Sequence, residues 1–497
     1  MSDPVLLPLS LTLSIITCIV FGIFAVLPAS DSTQVTELTG EEFVTARKSL
    51  NQWTIAWSFY ANAVGCGTLF FPPMFATLPG NGYIGLIANS LANAFPVLFV
   101  AYFGNQIRQR FSESWSLSDY TLRRFGRTVN IFVFALVFFN MALALIAEYS
   151  AVSSLYTSVL GADPYSIVFI VGIITMIYTY IGGLYVSLCT DQWQSITGTA
   201  LLVILIIYVA ISFRNPLPIP APDVIQPTSD GWAQLFVMPA AVFTGTIFSE
   251  ATWQRAWAAR DDKALRSGAN IAFVIIFVVI SLFALGGLLV AWAGMDIPNP
   301  NSVLFQLVGP GSAPTWVTVV VVVMATVMNE CAVDSIQNGL AASITTTFFK
   351  NSKSSTWSRV LIVLTNIPCM VLGTQGYSLS VLFGISNLIT IQATLPILLG
   401  AIDDNAKYIT GANVLFSSLF SFVSVAVYAT IAQSGDFVGG MTNIYVNNPY
   451  IWQPYLVAIV SSLVGMVIWY AIEHLYRAVF RKGHKSSSGT TIVPNDS

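Results

Sequence analysis

Residues 51–73 read NQWTIAWSFYANAVGCGTLFFPP, an apolar stretch long enough to cross a bilayer. Gly65 and Gly67 flank Cys66 just after Asn62, and glycine lowers the cost of leaving helical geometry. Unwound backbone is tolerated inside a membrane only where it lines a cavity or is buried in protein. The stretch therefore favours a helix interrupted around a cavity, with close helix packing through small residues as the alternative.

The whole composition is typical of a chain that lies largely in lipid. Of the 497 residues, 55% are apolar and 9% are charged, whereas a soluble domain carries about 25% charged residues. These values exclude a soluble multidomain protein and a disordered chain. Thirteen apolar segments have about the length that a bilayer requires: 4–28, 51–76, 82–103, 129–159, 165–187, 194–213, 233–253, 268–293, 314–349, 357–376, 379–402, 408–433 and 451–476.

The positions of the cations predict the orientation, because cytosolic loops collect Lys and Arg. With the N-terminus outside, all of the 20 Lys and Arg residues except Arg214 fall in inward loops. We interpret Arg255 and Arg260 as anchors of this kind. The first segment starts without a positive charge, so we expect a retained helix rather than a secretory signal peptide. The chain is therefore predicted to be an integral protein, of the plasma membrane, with a cytosolic C-terminus.

Three carboxylates, Glu148, Glu330 and Asp334, lie deep in predicted segments, where each costs about 2.5–3.5 kcal/mol to insert. No Lys or Arg lies equally deep, so the remaining partners are a cation, a proton or neutral donors such as Asn329. Glu330 and Asp334 are four residues apart and share a helix face that Asn338 extends, which predicts an ion-lining stripe. The alternative for Glu148 is a protonated side chain hydrogen-bonded between helices.

A second interrupted segment strengthens the cavity interpretation. Residues 233–253 contain Pro239 and the sequence Phe243-Thr-Gly-Thr246, five segments after the first interruption. Two interrupted segments at matching places in two halves are the sequence sign of an inverted-repeat transporter.

Four stretches, in the correct order, resemble motifs of the solute:sodium symporter family. Residues 182–194, GGLYVSLCTDQWQ, resemble its Gly-Gly and Thr-Asp-x-x-Gln motif, and residues 249–260, SEATWQRAWAAR, resemble its Gln-Arg stretch. Residues 58–73 resemble its first core helix, and Asp334-Ser335 with Asn338 resembles its eighth. The resemblance covers about residues 45–405 and is nearest to the urea and polyamine transporter branch.

The resemblance implies an all-α fold with a five-plus-five inverted-repeat (LeuT-type) core. We predict four regions: an N-terminal extra helix with a cytosolic linker (1–50), the transport core (51–405), two C-terminal helices (406–480) and a disordered cytosolic tail (481–497).

The resemblance also implies a sodium ion between the first and eighth core helices. Its ligands would be the backbone carbonyls of Ala61, Val64 and Met328, with a hydroxyl pair that falls here on Cys331 and Ala332. Neither of those two side chains offers the hard oxygen that sodium prefers.

Two alternatives follow from this departure. A shifted register would place Asn329 and Glu330 at the pair, and proton coupling through Glu330, Asp334 or Glu148 would need no sodium site. By the same resemblance Asp191 helps the ion to leave toward the cytosol; the alternative is that it caps the next helix.

The resemblance implies that the substrate pocket is lined by Tyr60, Asn62, Gly65, Glu148, Tyr149, Phe243, Thr244 and Thr246. Amides, hydroxyls and aromatic walls suit a small polar solute such as urea, and an ionised Glu148 would suit a polyamine or another amine. We therefore predict a symporter coupled to Na⁺ or H⁺. The alternatives are a uniporter or channel for such a solute, and an amino-acid or nucleobase permease of the same fold.

The sequence lacks the residues that several other classes of function require. Both histidines, His474 and His484, lie near the C-terminus, so neither a zinc site nor a Ser/His catalytic pair is predicted, and we do not expect an enzyme. The phosphate-binding loop of ATP-driven pumps is missing from the sequence. No basic stripe predicts nucleic-acid binding. The predicted partners are the solute, the coupling cation and membrane lipids, with no cofactor.

Overall fold

The computed structural model describes residues 4–30, 45–46, 49–111, 114, 116–349, 356–402 and 408–485. These ranges contain helices and no β-strand. Most of the predicted cytosolic linker and the end of the predicted disordered tail lie outside the described residues, as do five of the predicted inward cations: Arg47, Lys48, Lys350, Lys353 and Lys407.

The helices are numbered in chain order. They are α1 (Leu6–Ser30), α2 (Gln52–Ala63), α3 (Phe71–Thr77), α4 (Gly82–Arg110), α5 (Leu117–Phe125), α6 (Arg127–Leu160), α7 (Tyr165–Ile181), α8 (Gly183–Ser212), α9 (Ser229–Ile247), α10 (Glu250–Ala258), α11 (Asp262–Trp292), α12 (Phe305–Val308), α13 (Thr315–Phe348), α14 (Thr356–Gly373), α15 (Leu379–Ile402), α16 (Gly411–Ala432), α17 (Phe437–Thr442) and α18 (Trp452–Lys485).

The lengths of the helices support a polytopic membrane protein but do not confirm the count of thirteen spans. Within the described ranges, nine helices are long and apolar enough to cross a membrane, and the bent α9–α10 pair makes a tenth. The helices α7 and α14 are apolar but shorter, and the α2–α3 segment is broken. Thirteen spans therefore stay a prediction.

The first predicted interruption is confirmed. Helix α2 ends at Ala63, Val64 leaves helical geometry at φ −122° and ψ 78°, and Gly65 is extended. A short 3₁₀ turn, Cys66–Leu69, leads into α3, whose first turn holds the two prolines. Proline is favourable there because the N–H groups of a first helical turn have no partner inside the helix.

The second interruption lies later than the sequence indicates. Pro239 and the stretch from Phe243 to Thr246 are inside α9, and the bend of 66° falls at Phe248 and Ser249. The Asn140 side chain of α6 explains this position, because its Nδ2 donates to the carbonyl oxygens of Gly245 (2.9 Å) and Phe248 (3.2 Å). These are carbonyls at the end of α9, which need a partner beyond the helix.

Helix α13 is the centre of the bundle. In the most apolar stretch of α13, 83% of the residues are buried inside the protein, whereas in that of α8 22% are. Helix α13 is therefore enclosed by protein, and most of the apolar stretch of α8 lies on the outer surface of the bundle. The extra helix α1 packs on α13 and on the kinked α7–α8 segment, and α16 packs on α18. The two broken segments and α6 surround the middle of α13, and this arrangement encloses the candidate site.

Candidate functional site

A cavity of about 190 Å³ opens where the two broken segments meet. Its wall is built from both breaks and from α4, α6, α13 and α15, together with Tyr450 from the connection between α16 and α18. Four of the eight predicted pocket residues line it: Asn62, Gly65, Glu148 and Thr246.

Glu148 supplies the carboxyl group of this cavity. Its Oε2 accepts the backbone N–H of Cys66 at 2.9 Å and the Nδ2 of Asn329 at 3.2 Å. The Cys66 N–H, one of the groups freed by the first break, is therefore bound by the protein's own carboxylate. Among the described residues that line the cavity there is no Lys, Arg or His, so none of these places a cationic side chain beside Glu148. It can hold a proton or bind a cationic group that enters the cavity.

Asparagines are the most frequent polar residues in the wall. Four of them were not among the predicted pocket residues: Asn89, Asn93, Asn140 and Asn387. The Nδ2 of Asn93 donates to Oδ1 of Asn89 at 3.0 Å, and the Asn89 Nδ2 has no hydrogen-bond partner among the described residues. The spacing of Asn89 and Asn93 within the predicted apolar segment 82–103 is a signal that could have identified them, because i and i+4 share a face.

Two predicted tyrosines face away from the cavity. Tyr60 packs toward α8, where the Thr199 hydroxyl lies 3.4 Å from its Oη. The Tyr149 hydroxyl donates to Oδ1 of Asn366 at 2.6 Å, toward α14. Successive residues of a helix point about 100° apart, so Tyr149 cannot follow its neighbour Glu148 into the cavity.

Phe243 and Thr244 were also predicted in the pocket, and both pack between helices instead. The ring of Phe243 meets Phe99 of α4 edge to face, with the centroids 4.7 Å apart. The Thr244 hydroxyl donates to the carbonyls of Ala241 (2.9 Å) and Asn387 (3.3 Å), which joins α9 to α15. Both residues lie on the faces of α9 that pack against α4 and α15.

The predicted ion-site residues lie at the first break and on the facing part of α13. Ala61 and Val64 are buried where α2 ends, and within the described residues no hydrogen bond reaches either carbonyl oxygen. Met328 is buried, Ala332 lines the cavity, and Cys331 donates from Sγ to Oε1 of Gln194 at 3.2 Å. Two free carbonyls are present, but α13 supplies neither hydroxyl that the family arrangement implies.

The two carboxylates of α13 point away from the cavity. Glu330 is two residues before Ala332, so the two side chains lie about 200° apart around the helix. The Glu330 carboxylate lies beside the side chains of Cys18 and Gln194, outside the cavity wall. Asp334 accepts from the hydroxyl of Thr179 (2.6 Å) and from Nδ2 of Asn338 (2.9 Å).

A buried ion pair corrects two further expectations. The Nη2 of Arg255 lies 2.9 Å from Oδ2 of Asp191, and both side chains are 0% exposed. Arg255 is therefore no surface anchor, whereas Arg260 is 66% exposed as expected. Asp191 lies inside α8, so it does not cap a helix start. The Arg255 guanidinium also donates to the Ser58 carbonyl and the Ser335 hydroxyl, which ties α10 to α2, α8 and α13.

The close approach of Gly65 to Glu148 predicts that a larger residue at position 65 will disturb the cavity. A Cβ there would lie 2.4–2.6 Å from the carboxylate atoms of Glu148, whereas a Cβ on Gly67 would lie 3.3 Å from the nearest one. Overpacking of this kind costs about 1–3 kcal/mol, so we expect Gly65→Ala to lower solute affinity about fivefold or more. Gly67→Ala is the matched control and should change affinity less than about threefold. Binding of labelled solute to purified protein measures both, and equal affinities for the two variants would contradict the arrangement.

Comparison with known proteins agrees with this architecture. The sequence model of the sodium:solute symporter family matches residues 43–392, more than half of the chain. The spermidine transporter DUR31 of Candida albicans (strain SC5314 / ATCC MYA-2876) is 24% identical over 453 residues, which cover 89% of this chain and 85% of that protein.

A solved structure shows the same fold. A sodium-coupled sialic acid symporter, in a substrate-bound outward-open state with a novel sodium site, has a TM-score of 0.70 to this chain. It is 13% identical, and the match covers 93% of this chain and 98% of the symporter. Mhp1, a nucleobase-cation-symport-1 family transporter, matches with a TM-score of 0.47 and 14% identity over 87% of this chain. The first likeness confirms the all-α inverted-repeat class and carries no information about substrate.

Proposed function

Because the chain belongs to the sodium:solute symporter family, we propose that it couples the downhill entry of a cation to the import of a small polar solute. The solute class that the cavity suits best is an organic amine such as spermidine, with urea or a related amide as the second candidate. The observation that carries this proposal is the position of Glu148, a carboxylate at the meeting point of two broken helices. The described part of the chain places no cationic side chain beside it in the cavity.

The residues of the cavity wall can bind either an amine or urea, and the carboxylate favours the amine. A buried carboxylate binds an ammonium group through a charge-assisted hydrogen bond, which is about twice as strong as a neutral one. The asparagines around it offer donors and acceptors to the rest of an amine, or to the carbonyl and N–H groups of urea. The printed function of the Candida albicans relative, spermidine transport, also favours an amine.

The coupling ion is Na⁺ or H⁺, and family membership favours Na⁺. The free carbonyls of Ala61 and Val64 fit one side of a sodium site. The α13 side fits less well, because Cys331 and Ala332 contribute no oxygen from their side chains. Proton coupling through Glu148, Glu330 or Asp334 remains the second candidate for this reason, and Asp191 stays a candidate for the ion's exit route.

We further propose that the protein lies in the plasma membrane with its N-terminus outside. The core would then comprise residues 51–405, with one helix before it and two after it. In this orientation the Arg255–Asp191 pair lies on the cytosolic side of the cavity. It would hold α2 against α8, α10 and α13, since Ser58 precedes the break in α2.

Uptake into proteoliposomes tests the coupling. With the membrane potential clamped, a tenfold inward gradient of the correct cation should concentrate a neutral solute up to about tenfold at one cation per solute, because each tenfold ratio stores about 1.4 kcal/mol. Labelled urea and spermidine are each offered with a sodium gradient, a proton gradient or neither. An ionophore that collapses the gradient is the control. Equilibration without accumulation under every gradient would show a uniporter or channel and contradict the proposal.

A further inference from the structure

One wall of the cavity comes from a segment far outside the family match. Residues 437–451 connect α16 to α18 and contain α17, a π-helical turn (Asn443–Asn447) and then Tyr450. We call residues 437–451 the outer strap. Tyr450 lines the cavity together with both breaks, although the family match ends at residue 392.

The outer strap is held in place by specific contacts on both sides of Tyr450. The Nε2 of Gln234 donates to the Tyr450 carbonyl at 3.2 Å, and the Tyr455 hydroxyl donates to the Pro449 carbonyl at 3.2 Å. Pro449 packs directly on α15 at Gly384, where a Cβ would lie 2.3 Å from the proline Cβ. Only glycine permits this approach, so the backbone beside Tyr450 has a defined position.

Tyr450 extends an aromatic surface that belongs to the first broken segment. Its ring meets Phe71 edge to face at 5.6 Å between centroids and Phe75 at 6.1 Å. Phe71 and Tyr450 both line the cavity that contains the Glu148 carboxylate. Aromatic faces attract ammonium groups and pack on alkyl chains, so these rings complement a carboxylate in binding an organic cation.

We propose that Tyr450 contacts the transported solute and determines its specificity, and that the outer strap covers the outer end of the cavity while the solute is bound. This inference rests on the proposed transport of an organic amine through the cavity. Tyr450 would add a residue from the C-terminal helix pair to the binding site. That pair would then take part in solute recognition as well as packing against the core.

Substitutions that keep or remove the ring test the contact. Tyr450→Ala should raise KM for spermidine about tenfold and change the saturating rate less than about threefold, whereas Tyr450→Phe should stay near wild type. Tyr445→Ala is the matched control, because Tyr445 is also half-buried on the outer strap and does not line the cavity. An unchanged KM in Tyr450→Ala, or an equal rise in Tyr445→Ala, would overturn the proposal.

Cysteine modification tests the position without relying on transport. Tyr450→Cys in nanodiscs is treated with a cationic methanethiosulfonate, with wild type as background, since four of the five native cysteines are buried and the fifth is half-buried. Spermidine should slow modification of Tyr450→Cys about tenfold and leave Tyr445→Cys unchanged. Modification that spermidine does not slow would overturn the contact.

Failure of the proposed function is recognised separately. Wild-type proteoliposomes that concentrate no solute under any cation gradient would contradict symport, while protection of Tyr450→Cys by spermidine would still support the contact. If Tyr450→Ala does not reach the membrane, the modification of Tyr450→Cys decides.

Discussion

Replacing Glu148 by glutamine will lower spermidine uptake about 100-fold and urea uptake less than about threefold, because only the amine loses a buried ionic partner. Glutamine has nearly the same shape, and its carbonyl oxygen can still accept the N–H of Cys66 and the Nδ2 of Asn329. The cavity therefore keeps its geometry and loses its negative charge. Gradient-driven uptake of both solutes, measured over a range of pH in proteoliposomes, gives the comparison.

Glu250 offers the matched control for this experiment. It is also a buried carboxylate at a break, but it accepts the backbone N–H of Leu117 at 3.1 Å and does not line the cavity. Glu250→Gln should therefore affect the two solutes equally. Unchanged uptake and an unchanged pH profile in Glu148→Gln would show that the carboxylate has no role in recognition or coupling. Equal losses of urea and spermidine uptake would point to coupling instead of amine recognition.

Replacing Arg255 by glutamine is expected to produce the largest loss of stability. Removing one partner of a buried ion pair leaves the other charge in a low-dielectric interior, which costs about 3–5 kcal/mol. Here the loss would also leave the Ser58 carbonyl and the Ser335 hydroxyl without their guanidinium donor. We expect a clearly lower melting temperature in detergent and a smaller folded fraction in the membrane.

Two further variants separate the ion pair from general damage. The double variant Asp191→Asn with Arg255→Gln removes both charges, so it should recover part of the lost stability. Arg260→Gln removes an exposed cation whose pair with Asp261 is also exposed, and such pairs contribute about 0–1 kcal/mol. A melting temperature of Arg255→Gln equal to that of Arg260→Gln would show that the buried pair does not stabilise the fold.

The steps that succeeded from sequence depend on local chemistry. Mean hydropathy along the chain predicts helices that cross a bilayer, because each span must bury its own backbone hydrogen bonds and present apolar side chains to lipid. Gly65, Gly67 and the following prolines predicted the first break, because those residue types change the cost of leaving a helix wherever they occur. The order of four short motifs was enough to identify the family, which the match over residues 43–392 shows.

The position of the second break could not be predicted from local residue types. Pro239 and Gly245 have the same composition signal as the first segment, yet α9 continues through both. The bend occurs where Asn140, about a hundred residues earlier in the chain, reaches the carbonyls of Gly245 and Phe248. A partner on another helix decided the position of the bend, and sequence spacing carries no record of it.

The sequence by itself determined that the chain is helical, lies in the membrane, breaks at Gly65 and holds buried carboxylates. Only the tertiary structure decided which side chains face the cavity and which groups pair. In the folded chain Glu148 contacts the first break, Tyr450 lines the cavity, and Glu330 lies outside the cavity wall. The physical reason is that hydropathy and backbone preference are properties of single segments. Partners across the bundle depend on the rotation and depth at which each helix packs against its neighbours.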